Sequence, residues 1–173
     1  MFKNFLNKKH DAFLYNILLS LSRNIFFYEN LKLKDSFETR VYLIFLHYSI
    51  LLSILKIKQK KISQTYYDSL FLNIENDLRE LGFGDVSVNK KMKDLNQIFY
   101  DILIKFKKNN LKENLEINQK LILKYFDSLK QNNCQNYTKF EEYLLKFYKF
   151  CFELSPENMI KDLKKFKYLH GSS

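Results

Sequence analysis

Tryptophan is absent from this 173-residue chain, proline occurs once, at Pro156, and glycine three times. Turns between strands draw on Gly and Pro for backbone angles that other residues resist, so this poverty argues against a β-rich fold. Only two cysteines are present, Cys134 and Cys151, and they lack metal-ligand spacing. Two thiols without a signal peptide point to a reducing compartment. Residues 1–9 are too short and too interrupted for a secretory signal, and lack the Arg and Ser of a transit peptide. The expectation is a bacterial protein on the cytoplasmic side. No long run of like charge occurs, which argues against a disordered nucleic-acid arm.

What the chain does have is apolar and basic. Hydrophobic residues make up 46% and aromatics 17%, enough for a sizeable core in one domain spanning 1–173. Abundant Leu, Lys, Ile and Phe suit long helices. The fold expected is an all-α, single-domain bundle of about six to seven helices around a central apolar helix at about 36–58. The formal net charge is +10, which suits nucleic acid, a ribosome or an anionic membrane. Lys, Asn, Ile, Phe and Tyr are enriched together, however, and an AT-rich coding sequence yields the same bias. The charge is uneven: residues 1–60 carry 10 basic and 4 acidic side chains, 61–86 carry 2 and 5, and 87–112 carry 7 and 2.

Apolar periodicity places a first helix at Asp11–Arg23, followed by a connection whose Phe26, Phe27 and Tyr28 pack down. Asp35-Ser36 caps a second helix running to about Lys58. Its Val41–Ile57 stretch is the most apolar in the chain. His47, Ser49, Ser53 and Lys56 interrupt it, and a membrane span wants about 20 apolar residues, so it reads as a buried core helix. Ser63 caps a third helix with a buried stripe at Tyr66, Leu70, Ile74, Leu78 and Leu81. Gly82 stops it, and Ser87 caps a fourth helix with Val88, Met92, Leu95, Phe99, Leu103 and Phe106 inward. A weaker fifth helix covers about Leu111–Lys130. Thr138 with Glu141 forms a capping box for a sixth, ending near Leu154. Ser155-Pro156 opens a short last helix, and His170–Ser173 is a frayed end.

No catalytic set emerges. His10, His47 and His170 have no ligand partners at metal spacing, and His47 reads as a hydrogen-bonded core residue. No Ser stands in a nucleophile elbow. Cys134 and Cys151 have no neighbouring His. Glu75 and Asp77 point to different helix faces, with Arg79 pairing to Glu75. Gly82-Phe83-Gly84 precedes a helix bearing Lys90 and Lys91, but no strand comes before it and neither nucleotide fingerprint fits. No catalytic, cofactor or metal residues are assigned, and the chain is expected to bind rather than to catalyse.

The segment from Leu78 through Arg79-Glu80-Leu81-Gly82-Phe83-Gly84-Asp85 to Lys90-Lys91-Met92 resembles the signature of the ubiquinol–cytochrome c chaperone family, in which a helix ends before a Gly-Asp turn and a basic helix follows. Tyr15, Arg23 and Phe27-Tyr28 are similar to the family's opening helix and aromatic connection. Asp35-Ser36, Arg40 and Leu46-His47 follow in order, then Tyr67-Asp68, Phe71, Asp77 and Phe99-Tyr100. The resemblance covers about Tyr15–Phe106, with a helical part at about 111–168 beyond it. Thr39 and Val41 replace the usual Gly and Phe, and Asp101-Ile102 stands where Gly-Arg is common.

The resemblance implies an all-α, non-enzymatic assembly factor, in a bacterial member, for ubiquinol–cytochrome c reductase (complex III). Its partner would be newly made cytochrome b or a related respiratory-complex subunit, with contacts to the ribosome or the inner membrane. Arg40, Arg79, Glu80, Asp85, Lys90 and Lys91 are the candidate client-binding residues. Two alternatives use other features: a ribosome- or RNA-binding module with basic helix faces, and a peripheral membrane protein anchored through Phe2, Phe5 and Leu6 with Lys3, Lys8 and Lys9.

Overall fold

The computed structural model describes residues 3–109, 115–131 and 133–168, and side chains at 3–11, 107–109, 131 and 133 lie outside that description. Its elements are α1 (Lys3–Ser22), a π-helical turn (Phe26–Asn30), α2 (Phe37–Ile57), α3 (Gln64–Glu80) and α4 (Asp85–Asn109). Then follow α5 (Gln119–Tyr125), α6 (Ser128–Gln131), α7 (Asn133–Glu153), α8 (Met159–Asp162) and a 3-10 turn at Leu163–Lys165. No strand occurs among the described residues. The chain is an all-α bundle.

Helix α2 is the axis, as its composition predicts. Ser36 caps it by accepting a hydrogen bond from the Thr39 amide at 3.2 Å. By length and hydropathy it could span a bilayer, yet nearly every position from Val41 to Leu55 is buried. Helices α1, α4 and α7 surround it. Burial of an apolar helix on all sides stabilises by about 1.5–3 kcal/mol per large side chain, which explains why α2 tolerates so little polarity. One polar atom is out of place: the Ser49 hydroxyl is buried and without a partner.

Aromatic side chains fill the two sides of α2. Phe45 stacks on Phe71 and meets Phe99 edge-on. On the other side Phe27, His47, Tyr143 and Phe147 form a second cluster. His47 is fully buried there. Its Nδ1 lies 2.6 Å from the Leu43 carbonyl, which can only accept, so Nδ1 carries the proton. Nε2 then accepts from the Tyr143 hydroxyl at 2.7 Å. Desolvation lowers the His47 pKa from 6.5 to about 4. The reading of His47 as a core residue holds.

The connection after α1 packs down as expected. The Asn24 side chain accepts from the Phe26 amide, and Leu31 N–H reaches back five residues to the Phe26 carbonyl, giving a π turn. This wide turn buries Phe26 and Phe27. At the far end of α2, Lys58 Nζ donates to the Phe152 and Leu154 carbonyls at 2.5 and 2.6 Å. A cation there satisfies acceptors at the α7 C-terminus that the helix itself leaves open.

Several boundaries differ from expectation. Helix α1 begins at Lys3 rather than Asp11. Helix α4 begins at Asp85, with Val88 N–H bonding the Gly84 carbonyl, so Ser87 lies inside its first turn and does not cap it. The single fifth helix is instead α5 and α6, separated at Phe126, where the backbone leaves helical angles (ψ 64°) while the ring stays buried against Phe140. Residues 110–114 lie outside the described residues. Helix α7 starts at Asn133, so Thr138 is internal and its hydroxyl bonds the Cys134 carbonyl instead of capping. Pro156 sits in a turn before α8 rather than at its first position. His170–Ser173 lie outside the described residues.

Candidate functional site

The turn between α3 and α4 is built by backbone chemistry. The Phe83 amide bonds the Leu78 carbonyl and the Gly82 amide bonds the Arg79 carbonyl, the two hydrogen bonds of a Schellman ending. This geometry places Gly82 at φ +94°, a region that side-chain-bearing residues resist. Space is not the reason for glycine, since a Cβ there would touch nothing within 4 Å.

Leu81 was expected on the buried stripe of α3. Instead α3 ends at Glu80, and Leu81 enters the turn 58% exposed. Phe83 is 38% and Val86 85% exposed beside it. Three apolar side chains within six residues therefore face solvent. The sequence held a partial signal: Val86 falls two residues off the Val88–Met92–Leu95 stripe, and Phe83 belongs to neither helix.

Leu81 also lines an open cleft of about 480 Å³ between α1, α2 and α3. Its apolar lining includes Leu19, Phe37, Val41 and Ile44, and its charged lining is Arg23, Arg40, Asp35, Asp77 and Glu80. Tyr15 donates a short hydrogen bond to Asp77 Oδ2, tying α1 to α3. Burial first, and the Asp77 carboxylate second, push the Tyr15 pKa well up, so the phenol stays a donor. Arg40 pairs with Asp35 at the mouth of α2. That hydrogen bond raises the Arg40 pKa above its ordinary value.

The structure divides the candidate residues. Arg40 and Glu80 line the same cleft. Arg79 bridges the turn: one guanidinium edge donates to Asp85 and the other to Glu75 at 2.8 Å. Lys91 lies over the Phe83 ring at 4.6 Å and lines a smaller hollow of about 240 Å³ with Phe37, Glu38, Tyr42, Leu78, Asp94, Leu95 and Ile98. Lys90 is exposed on the first turns of α4 and lines neither hollow. Asp85 and Arg79 thus fix the angle of the turn, whereas Arg40 and Glu80 face an opening.

Asp101 stands where the family pattern has another residue, yet it is a junction between helices. It receives Lys105 and Lys124 at 2.7 Å each, and the Tyr125 hydroxyl at 2.5 Å. Partial burial opposes its ionisation, but those three hydrogen bonds outweigh it and hold the carboxyl far below the usual range. Asp101 therefore pins α5 to α4. Among the described residues, no group of three His, Cys, Asp or Glu side chains could hold a metal ion.

Fold and surface describe an all-α domain that presents an exposed apolar turn beside a charged cleft. The profile of the family described as Ubiquinol-cytochrome C chaperone matches residues 29–114, about half of the chain. The chain belongs to that family. The matched segment runs from the π turn through α2, α3 and α4, so it holds the turn, Arg40, Glu80 and two walls of the cleft. Tyr15 and Arg23, which supply the α1 wall, precede it. No curated protein and no solved structure matches the chain.

Proposed function

We propose that this protein is a non-enzymatic chaperone for assembly of ubiquinol–cytochrome c reductase, and that it holds newly made cytochrome b, or another subunit of the complex, on the α3–α4 turn and the adjoining cleft. The family supports the chaperone role. The observation that carries the placement is the exposure of Leu81, Phe83 and Val86 inside the family-matched segment. Apolar side chains held out of a well-filled core, next to an opening, are what a protein surface uses to meet another chain. The fixed turn costs the partner no ordering of this side, because the Arg79 bridge and the Schellman bonds already hold it. The basic charge elsewhere suits work at the cytoplasmic face of a membrane or near a ribosome.

Two measurements in one strain test this. Cells lacking the protein should lose assembled reductase on native gels while other respiratory complexes persist. Tagged cytochrome b should bring the protein down from wild-type cells. Normal reductase levels in the deletion strain would sink the chaperone role. Normal dependence without co-purification would sink cytochrome b as the client.

A further inference from the structure

We infer that the turn and cleft dock a segment of the partner polypeptide that carries a lysine or arginine beside bulky apolar side chains. This inference rests on the client-binding reading above and names the chemistry of what is bound.

The apolar half of the surface is Leu81, Phe83 and Val86, and Leu81 belongs both to the exposed turn and to the cleft wall. A partner's apolar side chains cover it, since exposed groups of this size gain by leaving water. Charge selects which partner. The chain as a whole is strongly basic, yet α3 carries Asp68, Glu75, Asp77 and Glu80 against the single cation Arg79. Arg79 is committed to Glu75 and Asp85, and Arg40 to Asp35. Glu80 forms no ion pair among the described residues, and Asp77 has the neutral Tyr15 hydroxyl as its hydrogen-bond donor.

Asp77 and Glu80 lie three residues apart on the last turn of α3, so their side chains share one side of the helix. Like charges so placed repel each other. They also sit at the end where the helix carbonyls are already negative. Arg23, on the α1 wall, is the one cation lining the cleft without an ion pair among the described residues. The α2 N-terminus, whose Ser36 and Phe37 line the same cleft, offsets the α3 C-terminus, and Lys91 lies over the Phe83 ring outside the cleft lining. Two carboxylates then face one arginine, and the unbalanced charge in the opening is negative. A cationic side chain entering it relieves the repulsion between Asp77 and Glu80; an anionic one adds to it. Complementary charge of this kind sets partner choice more than raw affinity.

The test uses the full chain and two short synthetic peptides with the same Leu and Phe framework, one with lysines at the polar positions and one with glutamates. Fluorescence anisotropy should show the lysine peptide binding about tenfold or more tightly than the glutamate peptide, with the difference shrinking in high salt. Amide shifts on titration should map to Glu80, Leu81 and Val86. Glu80→Lys should reverse the preference, and Val86→Ser should weaken both peptides. Both side chains are exposed, so circular dichroism should report intact folds. Equal binding of the two peptides, no binding of either, or a preference unmoved by Glu80→Lys overturns the inference. Co-purification of cytochrome b separates the two readings. If Glu80→Lys retains cytochrome b as well as the wild type does, the charge inference fails while the client reading stands.

Discussion

The Tyr143 hydroxyl donates to His47 Nε2 across the α2–α7 interface at 2.7 Å, and both side chains are buried. The bond requires a neutral imidazole, and burial lowers the His47 pKa to about 4. The unfolded chain binds a proton at His47 near its ordinary 6.5, the folded chain only near 4, so the unfolded state holds more protons in that window. Stability is therefore full above about pH 6.5 and declines as pH falls toward 4. Urea unfolding should show a loss of about 2 kcal/mol between about pH 7 and pH 5 from this group. His47→Phe should remove that part of the slope. An unchanged slope in the variant would mean that His47 is not the group responsible.

Tyr143→Phe removes the donor and leaves His47 Nε2 buried without a partner. A buried acceptor left unsatisfied costs about 1–3 kcal/mol. The loss should appear in urea midpoints at neutral pH, with the all-helical circular dichroism spectrum retained.

Gly82 holds the turn at a positive φ with open space around its Cα. Gly82→Ala should destabilise by about 1 kcal/mol through backbone strain alone. Gly82→Asn, which visits that region more readily, should cost less. Equal losses from both variants would show that something other than backbone angle selects glycine there.

Asp101 gathers Lys105, Lys124 and Tyr125. Asp101→Asn should lower stability by about 1 kcal/mol, because the ion pairs are partly solvated. Its clearer effect should be local, with faster amide hydrogen exchange across Gln119–Tyr125 and little change in α2. Uniform protection loss would place the residue in the global core instead.

Ser49 sits in α2 with its hydroxyl buried and unpartnered. Ser49→Ala removes an unsatisfied group and favours the helix, so thermal unfolding should shift upward, by about 1 kcal/mol in stability. A drop would reveal a partner that the hydroxyl acquires in solution.

The central architecture was legible because two different signals agreed. Ser36 supplied a cap and Val41–Leu55 supplied apolar residues on every side, so α2 followed from composition alone. The stripes of α3 and α4 followed from helical spacing, except at Leu81. Long-range contacts decided the rest. The polar run 131–136 reads as a break between helices, but α7 begins within it at Asn133, and Asn136 donates to the Leu31 carbonyl, joining the first turn of α7 to the chain after the π turn. Phe126 breaks the helical path while staying buried against Phe140, so aromatic packing overrides periodicity. Of the site, the turn and the Arg79–Glu75 pair could be read from spacing, whereas the Arg79–Asp85 pair across the turn could not. The cleft could not, because Tyr15, Arg40 and Glu80 come from three helices whose approach no local pattern encodes.

Lys58 stands inside the family-matched segment, yet the carbonyls it grips, those of Phe152 and Leu154, lie at and just past the end of α7, outside it. The same holds for His47 and Tyr143. Residues 29–114 are thus a unit of family likeness whose side chains are partnered by residues beyond it. Excised alone, that fragment would present α2 with its flank stripped, a lysine with nothing to clasp and a histidine open to protonation. The part of the molecule that carries the family match depends for its packing on the part outside it.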